Sequence, residues 1–434
     1  MAVKFSDKNI RAVIVGGVRT PFLRAFTDFT KMDSISLGVA AVKGLLEKYP
    51  IRWKEIDNVI WSGVILPSAT ANIGREIVLD SGLPPNIEST TITRVCTSGL
   101  YAITLAVAAI ERGEADIVIA GGSDSTSNAE VKMPQTFVHK AAPVVMSSKA
   151  TVKDYFRLIA SLDIKKDLIP TRPSIRERTT GELMGESAEK MAKRNNISRE
   201  EQDMFAVQSH KRAAKAIETG RFSSEVIPVN TPDGKLIYTD NIVRGDTTIE
   251  KLSKLKPAFA KDGTLTAGNS SSLTDGGAAV LIMNEEKAKA LGLKPLAAFR
   301  SWAYDAVDPK DQLLIGPAIS MPTALKRAGM TLKDIDVIDI HEAFAAQVLS
   351  VLKMLANDRF AQVNCGLEKA IGTINPESIN LHGGSISLGH PFAATGARMV
   401  ITMANELSLS GKSSALLGIC GAGGVSAGAI LEAV

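Results

Sequence analysis

The chain has 434 residues, of which 45% are hydrophobic and 22% charged, with a formal net charge of +4. This composition is ordinary for a globular protein with a sizeable core, so it excludes an intrinsically disordered chain and gives no reason to expect nucleic-acid binding. The three cysteines, Cys96, Cys365 and Cys420, form no CxxC pair, so neither a zinc site nor a disulfide framework is expected.

The sequence offers no address outside the cytoplasm. No stretch approaches the roughly 18 consecutive apolar residues of a membrane span, and the N-terminal residues do not resemble a signal or transit peptide. Free cysteines fit a reducing compartment. We therefore expect a cytoplasmic protein.

The first elements in chain order are a strand over residues 11–16, an apolar-periodic helix over 34–48 and an apolar strand within 55–64. The segment 94–123 follows. It combines a loop that carries Cys96, a helix over 98–112 and a strand over 116–120.

Leu, Ile and Ala occupy nearly every face of residues 100–110, which predicts a helix buried on all sides. A cysteine just before such a helix meets free N–H groups and the positive end of the helix dipole, both of which favour the thiolate. Cys96 is therefore a candidate nucleophile, although a cysteine without further context is more often a small buried side chain.

Between residues 124 and 250 the alternation of strands and helices lapses. The segment 131–178 holds ten Lys and Arg residues against four acidic ones, so it is either a surface for phosphates or a solvated basic loop. A helix over 184–196 follows. Ser198 and Glu201 then form the capping-box pattern that begins a helix to about residue 220.

Two parts of the chain repeat. Residues 319–344 repeat the order helix, polar turn, strand and loop that is found near the N-terminus, and residues 388–424 repeat the order of 94–123. Internal repeats of this size predict a duplication, with two similar α/β domains that share one site.

Each repeat places reactive side chains in loops at strand or helix ends: Cys96, His341, His390 and Cys420. Two thiols and two imidazoles supply a nucleophile, a base and a second proton carrier. This set predicts acyl transfer through a thioester.

Five segments, in this order, resemble the signature segments of the thiolase family. They are VCTSG around Cys96, TAGNSS around Asn269, HEAFAAQ at 341–347, GGSISLGHPFAATGAR at 383–398 and CGAGG at 420–424. The HEAF form resembles the thiolase subunit of fatty acid β-oxidation complexes, both bacterial and mitochondrial.

The resemblance implies an α/β fold with a five-layered αβαβα core. On this sequence it implies an N-terminal core domain over 1–123 and 251–284, an inserted loop domain for CoA and acyl binding over 124–250, and a C-terminal core domain over 285–434.

The resemblance also implies roles for five residues of the site. Cys96 attacks the 3-keto carbon of a 3-ketoacyl-CoA, and His390 accepts its proton. His341 occupies the place of an oxyanion-hole water, which it either replaces or positions. Cys420 protonates the acetyl-CoA enolate and deprotonates incoming CoA, and the backbone N–H of Ala422 contributes to a second oxyanion hole.

In relatives, positions matching Met184 and Ser271 contact the pantetheine arm of CoA, which is a substrate here, and Arg244 is a candidate for the adenine or phosphate end of CoA. No metal or other cofactor is implied. The resemblance further implies a homodimer or tetramer, a possible hydratase/dehydrogenase partner subunit, and a possible membrane or partner contact through 131–178.

Three function hypotheses stay open. The chain is either a degradative 3-ketoacyl-CoA thiolase for medium or long acyl chains, or an acetoacetyl-CoA thiolase or condensing enzyme that forms C–C bonds. Cys420 favours a thiolase, because ketoacyl synthases lack the second cysteine. An inactive thiolase-like assembly subunit is a third reading, which the presence of Cys96, His390 and Cys420 opposes.

Overall fold

The computed structural model describes residues 10–171 and 176–434. Within this part of the chain the structure has twelve β-strands and fifteen α-helices. The strands are β1 Ala12–Arg19, β2 Leu23–Arg24, β3 Asn58–Ser62, β4 Glu88–Ile92, β5 Ile117–Ser125, β6 Val229–Asn230, β7 Leu236–Ile237, β8 Thr274–Asn284, β9 Ala297–Ala306, β10 Val337–Ile340, β11 Ser414–Cys420 and β12 Val425–Ala433. The helices are α1 Ser34–Lys48, α2 Ile73–Asp80, α3 Ser98–Glu111, α4 Gln135–Val145, α5 Val152–Ser161, α6 Ile164–Asp167, α7 Met184–Arg194, α8 Arg199–Glu218, α9 Ile249–Ser253, α10 Glu285–Ala290, α11 Pro317–Ala328, α12 Ala345–Leu355, α13 Asp358–Phe360, α14 Ser385–Leu388 and α15 Ala393–Ser410.

The large sheet has two halves with the same strand pattern. Its order is β10-β11-β12-β9-β1-β8-β5-β3-β4, with β2 beside β8. In each half a parallel pair, β3 with β5 or β10 with β11, continues into antiparallel neighbours. A short β1–β9 pairing joins the halves at Val13 and Ile14. The predicted repeat is therefore present in the topology.

Alternate residues along the strands face different cores, which gives five layers. One core packs α1 and α2 against the first half of the sheet, and includes Val13 and Ile119. A second core surrounds α3 and α15 between the halves, and includes Ile14 and Val118. A third core packs α11 and α12 against the second half. The α/β fold and the αβαβα layering are confirmed.

The helices α3 and α15 are nearly surrounded by protein, as predicted for α3. Their first turns are in close contact: a Cβ on Gly99 would lie 2.3 Å from the Ala393 carbonyl oxygen, and a Cβ on Gly396 would lie 2.6 Å from the Leu100 nitrogen. Only glycine permits this approach of two backbones. The loops that precede both helices are thereby brought together.

Most predicted elements are observed with small changes at their ends. The helix at 34–48 has the predicted bounds, and the Ser198–Glu201 capping box begins α8. Strand β5 continues to Ser125, beyond the predicted end at 120, because Gly121 and Gly122 still pair with β8. A Cβ on Gly121 would lie 2.1 Å from the Ala278 carbonyl oxygen.

Residues 129–175 form a compact unit separate from the rest of the chain. Its described part contains α4, α5 and α6, with a capping box at Thr151 and Asp154 and an ion pair between Lys140 and Asp167. Residues 176–250 group with the core instead. The predicted three-domain division stays a prediction, and residues 1–9 and 172–175, the latter within the basic segment, lie outside the described residues.

Among residues 10–171 and 176–434, no helix has both the length and the apolar character that a membrane span requires.

We expect Gly99→Ala to destabilise the fold by about 1–3 kcal/mol, because its new methyl group meets backbone rather than a movable side chain. Gly44→Ala, on α1, is the matched control, since its methyl group would meet the end of the Ile227 side chain. The measurement is the melting temperature of both variants. Equal melting temperatures would contradict the close backbone contact.

Candidate active site

Cys96 lies in a tight turn between β4 and α3. The Ser98 hydroxyl accepts a hydrogen bond from the Arg94 N–H at 2.6 Å and donates to the Val95 carbonyl at 2.6 Å. Val95 has a φ of 45°, a conformation that is strained for a β-branched residue. Such strain is typical of functional sites and costs about 1–3 kcal/mol. The turn therefore fixes the backbone position of Cys96.

The CGAGG loop faces this turn. Cys420 is the last residue of β11, and a Cβ on Gly421 would lie 3.0 Å from the Val95 side chain. The backbone N–H of Ala422 donates to the Cys96 sulfur. The Glu177 carboxylate accepts from the Gly423 N–H at 2.9 Å and so holds the loop in place.

His341 reaches the same edge of the sheet. Strands β10 and β11 are parallel, so His341, directly after β10, comes beside the end of β11. Its N–H donates to the Gly418 carbonyl at 2.8 Å. The structure thus places His341 close in register to Cys420.

The two histidines form a pair. Their ring centroids are 4.2 Å apart. His341 Nδ1 lies 3.0 Å from the Ser385 hydroxyl, and His390 Nδ1 lies 2.7 Å from the Thr395 hydroxyl. Both Nε2 atoms are buried and have no hydrogen-bond partner among the described residues. Two free ring nitrogens in one buried place are available to a substrate.

Burial raises the pKa of the Cys96 thiol to about 11, against the opposing effect of the Ala422 N–H, and Asp124 adds to the rise. Burial also raises the pKa of Cys420, and the neighbouring Cys96 adds to it. In the free protein desolvation therefore outweighs the N–H groups that favour the thiolate. The thiol needs a base.

Burial lowers the pKa of His390 to about 3, with a contribution from Arg398. The pKa of His341 is lowered well below its usual value by burial, by His390 and by Arg398. Both imidazoles are therefore neutral at pH 7. A neutral imidazole can accept a proton at one nitrogen and donate one from the other.

Asp124 joins the two halves of the chain at this site. Its carboxylate accepts from the N–H groups of Val64 at 2.9 Å, Ile65 at 2.6 Å and Ala393 at 2.8 Å. Burial raises its pKa to about 7. Ala393 begins α15 just after His390 and after Phe392, whose φ is 25°. Asp124 therefore fixes the strained turn that carries His390.

Three further buried polar residues support the site. Glu342 accepts from Asn380 Nδ2 at 2.7 Å, from the Ser209 hydroxyl at 2.7 Å and from the Ile386 N–H at 3.1 Å. Ser385 and Thr395 are the partners of the two histidines.

Sequence reasoning assigned no role to Glu342, Ser385, Thr395 or Asp124. The first three lie inside signature segments that were already identified, which is the signal that could have found them. Asp124 lies inside the buried strand β5, where a carboxylate requires hydrogen-bond partners.

The three residues predicted to contact CoA lie in different parts of the structure. Ser271 donates its N–H to the Ala343 carbonyl at 3.0 Å, so it lies beside the His341 loop. Met184 begins α7 and packs on the third core. Arg244 is exposed, and its N–H donates to His210 Nδ1 at 3.2 Å. All three roles stay predictions.

Among residues 10–171 and 176–434 there is no cluster of three or more His, Cys, Asp or Glu side chains that could hold a metal ion.

Comparison with known proteins identifies this arrangement. The family described as "Thiolase, N-terminal domain" matches residues 12–286, and "Thiolase, C-terminal domain" matches residues 293–433. The chain belongs to the thiolase family. Together the two matches cover both halves of the duplicated sheet.

Curated relatives of this thiolase match over nearly its whole length. The 3-ketoacyl-CoA thiolase of Pseudoalteromonas translucida (strain TAC 125) is 42% identical over 430 residues, which cover 98% of each chain. The 3-ketoacyl-CoA thiolase of Yersinia pestis (strain Pestoides F) is 42% identical over 425 residues, which cover 97% of each chain.

Two solved structures share the fold. The Bacillus anthracis acetyl-CoA acetyltransferase superposes with a TM-score of 0.83 at 30% identity and covers 99% of this thiolase and 100% of that chain. Human mitochondrial 3-ketoacyl-CoA thiolase superposes with a TM-score of 0.82 at 29% identity and covers 98% and 99%.

We expect alkylation of Cys96 by iodoacetamide to speed up about tenfold per pH unit between pH 8 and 10. With a pKa of about 11, the thiol is ionised in only roughly one molecule in ten thousand at pH 7. The measurement is the rate of adduct formation, mapped by mass spectrometry. A rate that levels off near pH 7 would show a standing thiolate instead.

Proposed function

We propose that this thiolase cleaves 3-ketoacyl-CoA with CoA, giving acetyl-CoA and an acyl-CoA shortened by two carbons, in fatty acid β-oxidation. The observation that carries the proposal is that Cys96 neighbours Cys420, and neutral His341 neighbours neutral His390, on loops that the contact between α3 and α15 brings together. The relatives from Pseudoalteromonas and Yersinia are 3-ketoacyl-CoA thiolases, which supports this substrate class.

In the first step Cys96 attacks the 3-keto carbon and its proton passes to Nε2 of His390. The attack needs this base because the free thiol has a raised pKa of about 11. His390 has the required free nitrogen, and its low pKa of about 3 keeps it unprotonated before substrate binds. The oxygen of the tetrahedral intermediate becomes negative and faces the two histidine Nε2 atoms.

The tetrahedral intermediate then breaks its C2–C3 bond. The acyl group stays on the Cys96 sulfur, and the two-carbon fragment leaves as the enolate of acetyl-CoA. Cys420 protonates that enolate and becomes a thiolate. Its raised pKa, caused by burial, makes it a weak acid on its own, but an enolate is a stronger base still.

The second half returns the enzyme to its starting state. The Cys420 thiolate takes the thiol proton of incoming CoA, and the CoA thiolate attacks the acyl group on Cys96. The N–H groups of Cys96 and Ala422 are the donors for the negative oxygen of this step. Ala422 has a negative φ, unlike Gly423 and Gly424 at 70° and 75°, so the alanine causes no backbone strain there. His390 then gives its proton back to Cys96.

The substrate-binding part of the proposal rests on position. Ser271 lies beside the His341 loop, which supports a contact with the pantetheine arm of CoA, and Met184 and Arg244 are proposed for the same ligand. We propose CoA as the only cofactor-like molecule, used as a substrate.

We also propose a homodimer or tetramer, a hydratase/dehydrogenase partner subunit and a cytoplasmic location.

A membrane contact through 131–178 is a further proposal. On α5, the exposed side chains of Val152, Phe156 and Ile159 follow one helix face, with exposed fractions of 73%, 70% and 66%. An apolar face next to basic residues supports a contact surface.

A second candidate function is favoured by the structural match to an acetyl-CoA acetyltransferase. In that case the same residues would act on acetoacetyl-CoA, or join two acetyl-CoA molecules in the reverse direction.

Mass mapping tests the acyl intermediate. We expect incubation with a 3-ketoacyl-CoA, without CoA, to leave an acyl group on Cys96 and none in Cys96→Ala. Cys365→Ala is the matched control and should be acylated like the native protein, because Cys365 lies apart, against the Ala318 carbonyl at 3.5 Å. An adduct on Cys365 would contradict the assignment.

A chain-length series tests the substrate class. We expect CoA-dependent cleavage of short, medium and long 3-ketoacyl-CoAs, rising with chain length, and its loss by at least about 10⁴-fold in Cys96→Ala. Cleavage is measured as the decrease in the absorbance of the 3-ketoacyl-CoA. Activity confined to acetoacetyl-CoA would support the second candidate, and no activity with any chain length would favour an inactive assembly subunit.

A further inference from the structure

A buried chain of polar groups lies behind His341. Ser385 Oγ is 3.0 Å from His341 Nδ1, and the Arg398 Nη2 atom is 3.4 Å from the same Ser385 Oγ. The other Nη atom of Arg398 is 3.4 Å from the Asp339 carboxylate. All four side chains are at most 2% exposed. The chain therefore runs Asp339, Arg398, Ser385, His341, with no access to bulk water.

The protons in this chain can be assigned by counting donors and acceptors. A guanidinium group can only donate, so Ser385 Oγ accepts from Arg398. Among the described residues, Ser385 Oγ has hydrogen bonds only to Arg398 and His341. If Ser385 donates its own proton to His341 Nδ1, both the Ser385 hydroxyl proton and the Nδ1 lone pair have a partner. If Nδ1 donates instead, the buried hydroxyl proton has no acceptor, which is unfavourable.

The charge of Arg398 acts in the same direction. A positive guanidinium group behind Ser385 opposes an N–H that points toward it and favours a lone pair there. It also opposes a second proton on His341, together with burial and the neighbouring His390. A neutral imidazole whose Nδ1 is an acceptor carries its proton on Nε2.

We propose that Ser385, oriented by Arg398, is a positioning residue that fixes His341 as the Nε2–H tautomer. His341 then donates directly to the oxygen that becomes negative in the first step, in the place of a water. This inference rests on the proposed function for the identity of that oxygen.

The other histidine differs in this respect. His390 Nδ1 is bonded to the Thr395 hydroxyl, and Thr395 Oγ1 has no second partner among the described residues. The guanidinium contact that opposes an N–H at His341 Nδ1 therefore has no counterpart at Thr395. His390 stays the proton acceptor of the proposed first step.

The tautomer can be read directly. The chain has only five histidines, so protein labelled with ¹⁵N-histidine gives a spectrum that can be assigned, with the His341 signals identified by their loss in His341→Asn. At pH 7 we expect His341 Nδ1 to resonate as an unprotonated nitrogen and Nε2 as a protonated one. A protonated Nδ1 in the native protein would overturn the proposal.

Variants of Ser385 test whether this residue fixes the tautomer of His341. In Ser385→Ala we expect both His341 nitrogens to shift toward the average of two tautomers, and in Ser385→Thr we expect the native pattern to return with the hydroxyl. Ser387→Ala is the matched control, because Ser387 lies in the same short helix and bonds to the Ser209 hydroxyl at 2.9 Å but not to a histidine. An unchanged tautomer in Ser385→Ala, whatever its activity, would contradict the positioning role.

Kinetics supply the second readout. Loss of a preorganised oxyanion donor lowers kcat by about 10²–10³-fold. Because Ser385→Ala keeps His341 and loses only its fixed tautomer, we expect kcat to fall about tenfold with KM little changed, and Ser385→Thr to recover most of it. An unchanged kcat in Ser385→Ala would overturn the catalytic consequence. If the native protein cleaves no 3-ketoacyl-CoA, the proposed function fails, while the spectra still decide the positioning role.

Discussion

The contact between the first turns of α3 and α15 is the constraint on which the site depends. Gly99 and Gly396 allow two helix backbones to approach more closely than any side chain would permit. The turn that carries Cys96 precedes one helix, and the turn that carries His390 precedes the other. Residues nearly 300 positions apart in sequence thus become neighbours because of two missing Cβ atoms. Asp124 reinforces the contact by accepting hydrogen bonds from both halves.

Burial decides the chemistry of the site. Cys96 and Cys420 are held as thiols, and His341 and His390 as neutral imidazoles, because a charged form of any of them is poorly solvated. The resting site carries no thiolate–imidazolium pair. A charge forms only after substrate binds, and the hydrogen-bond donors that stabilise this charge are already in position. Because the thiolate is the nucleophilic form, the raised pKa values limit reaction of the thiols with other electrophiles.

Much of the fold was predictable from sequence, because periodicity and repeats report it directly. Patterns within short stretches predict the buried helix α3, the duplicated halves and the four reactive loops. The pKa of Cys96 was not predictable, since the balance between helix N–H groups and desolvation depends on how closely distant segments pack. The same holds for Asp124, whose three donors come from two distant parts of the chain. The basic composition of 131–178 marked this segment, but it did not show that residues 129–175 form a unit of their own while 176–250 belong to the core.

The repeated topology has a consequence for the history of the chain. Each half contributes an equivalent helix N-terminus to one shared centre, so a dimer of identical halves would have placed the same residue on both sides of it. In this chain one side bears a thiol and the other an imidazole. Fusion of the two copies allows each to specialise, because a substitution in one is no longer repeated in the other. The asymmetry that acyl transfer requires is thus a property that only the joined chain can have.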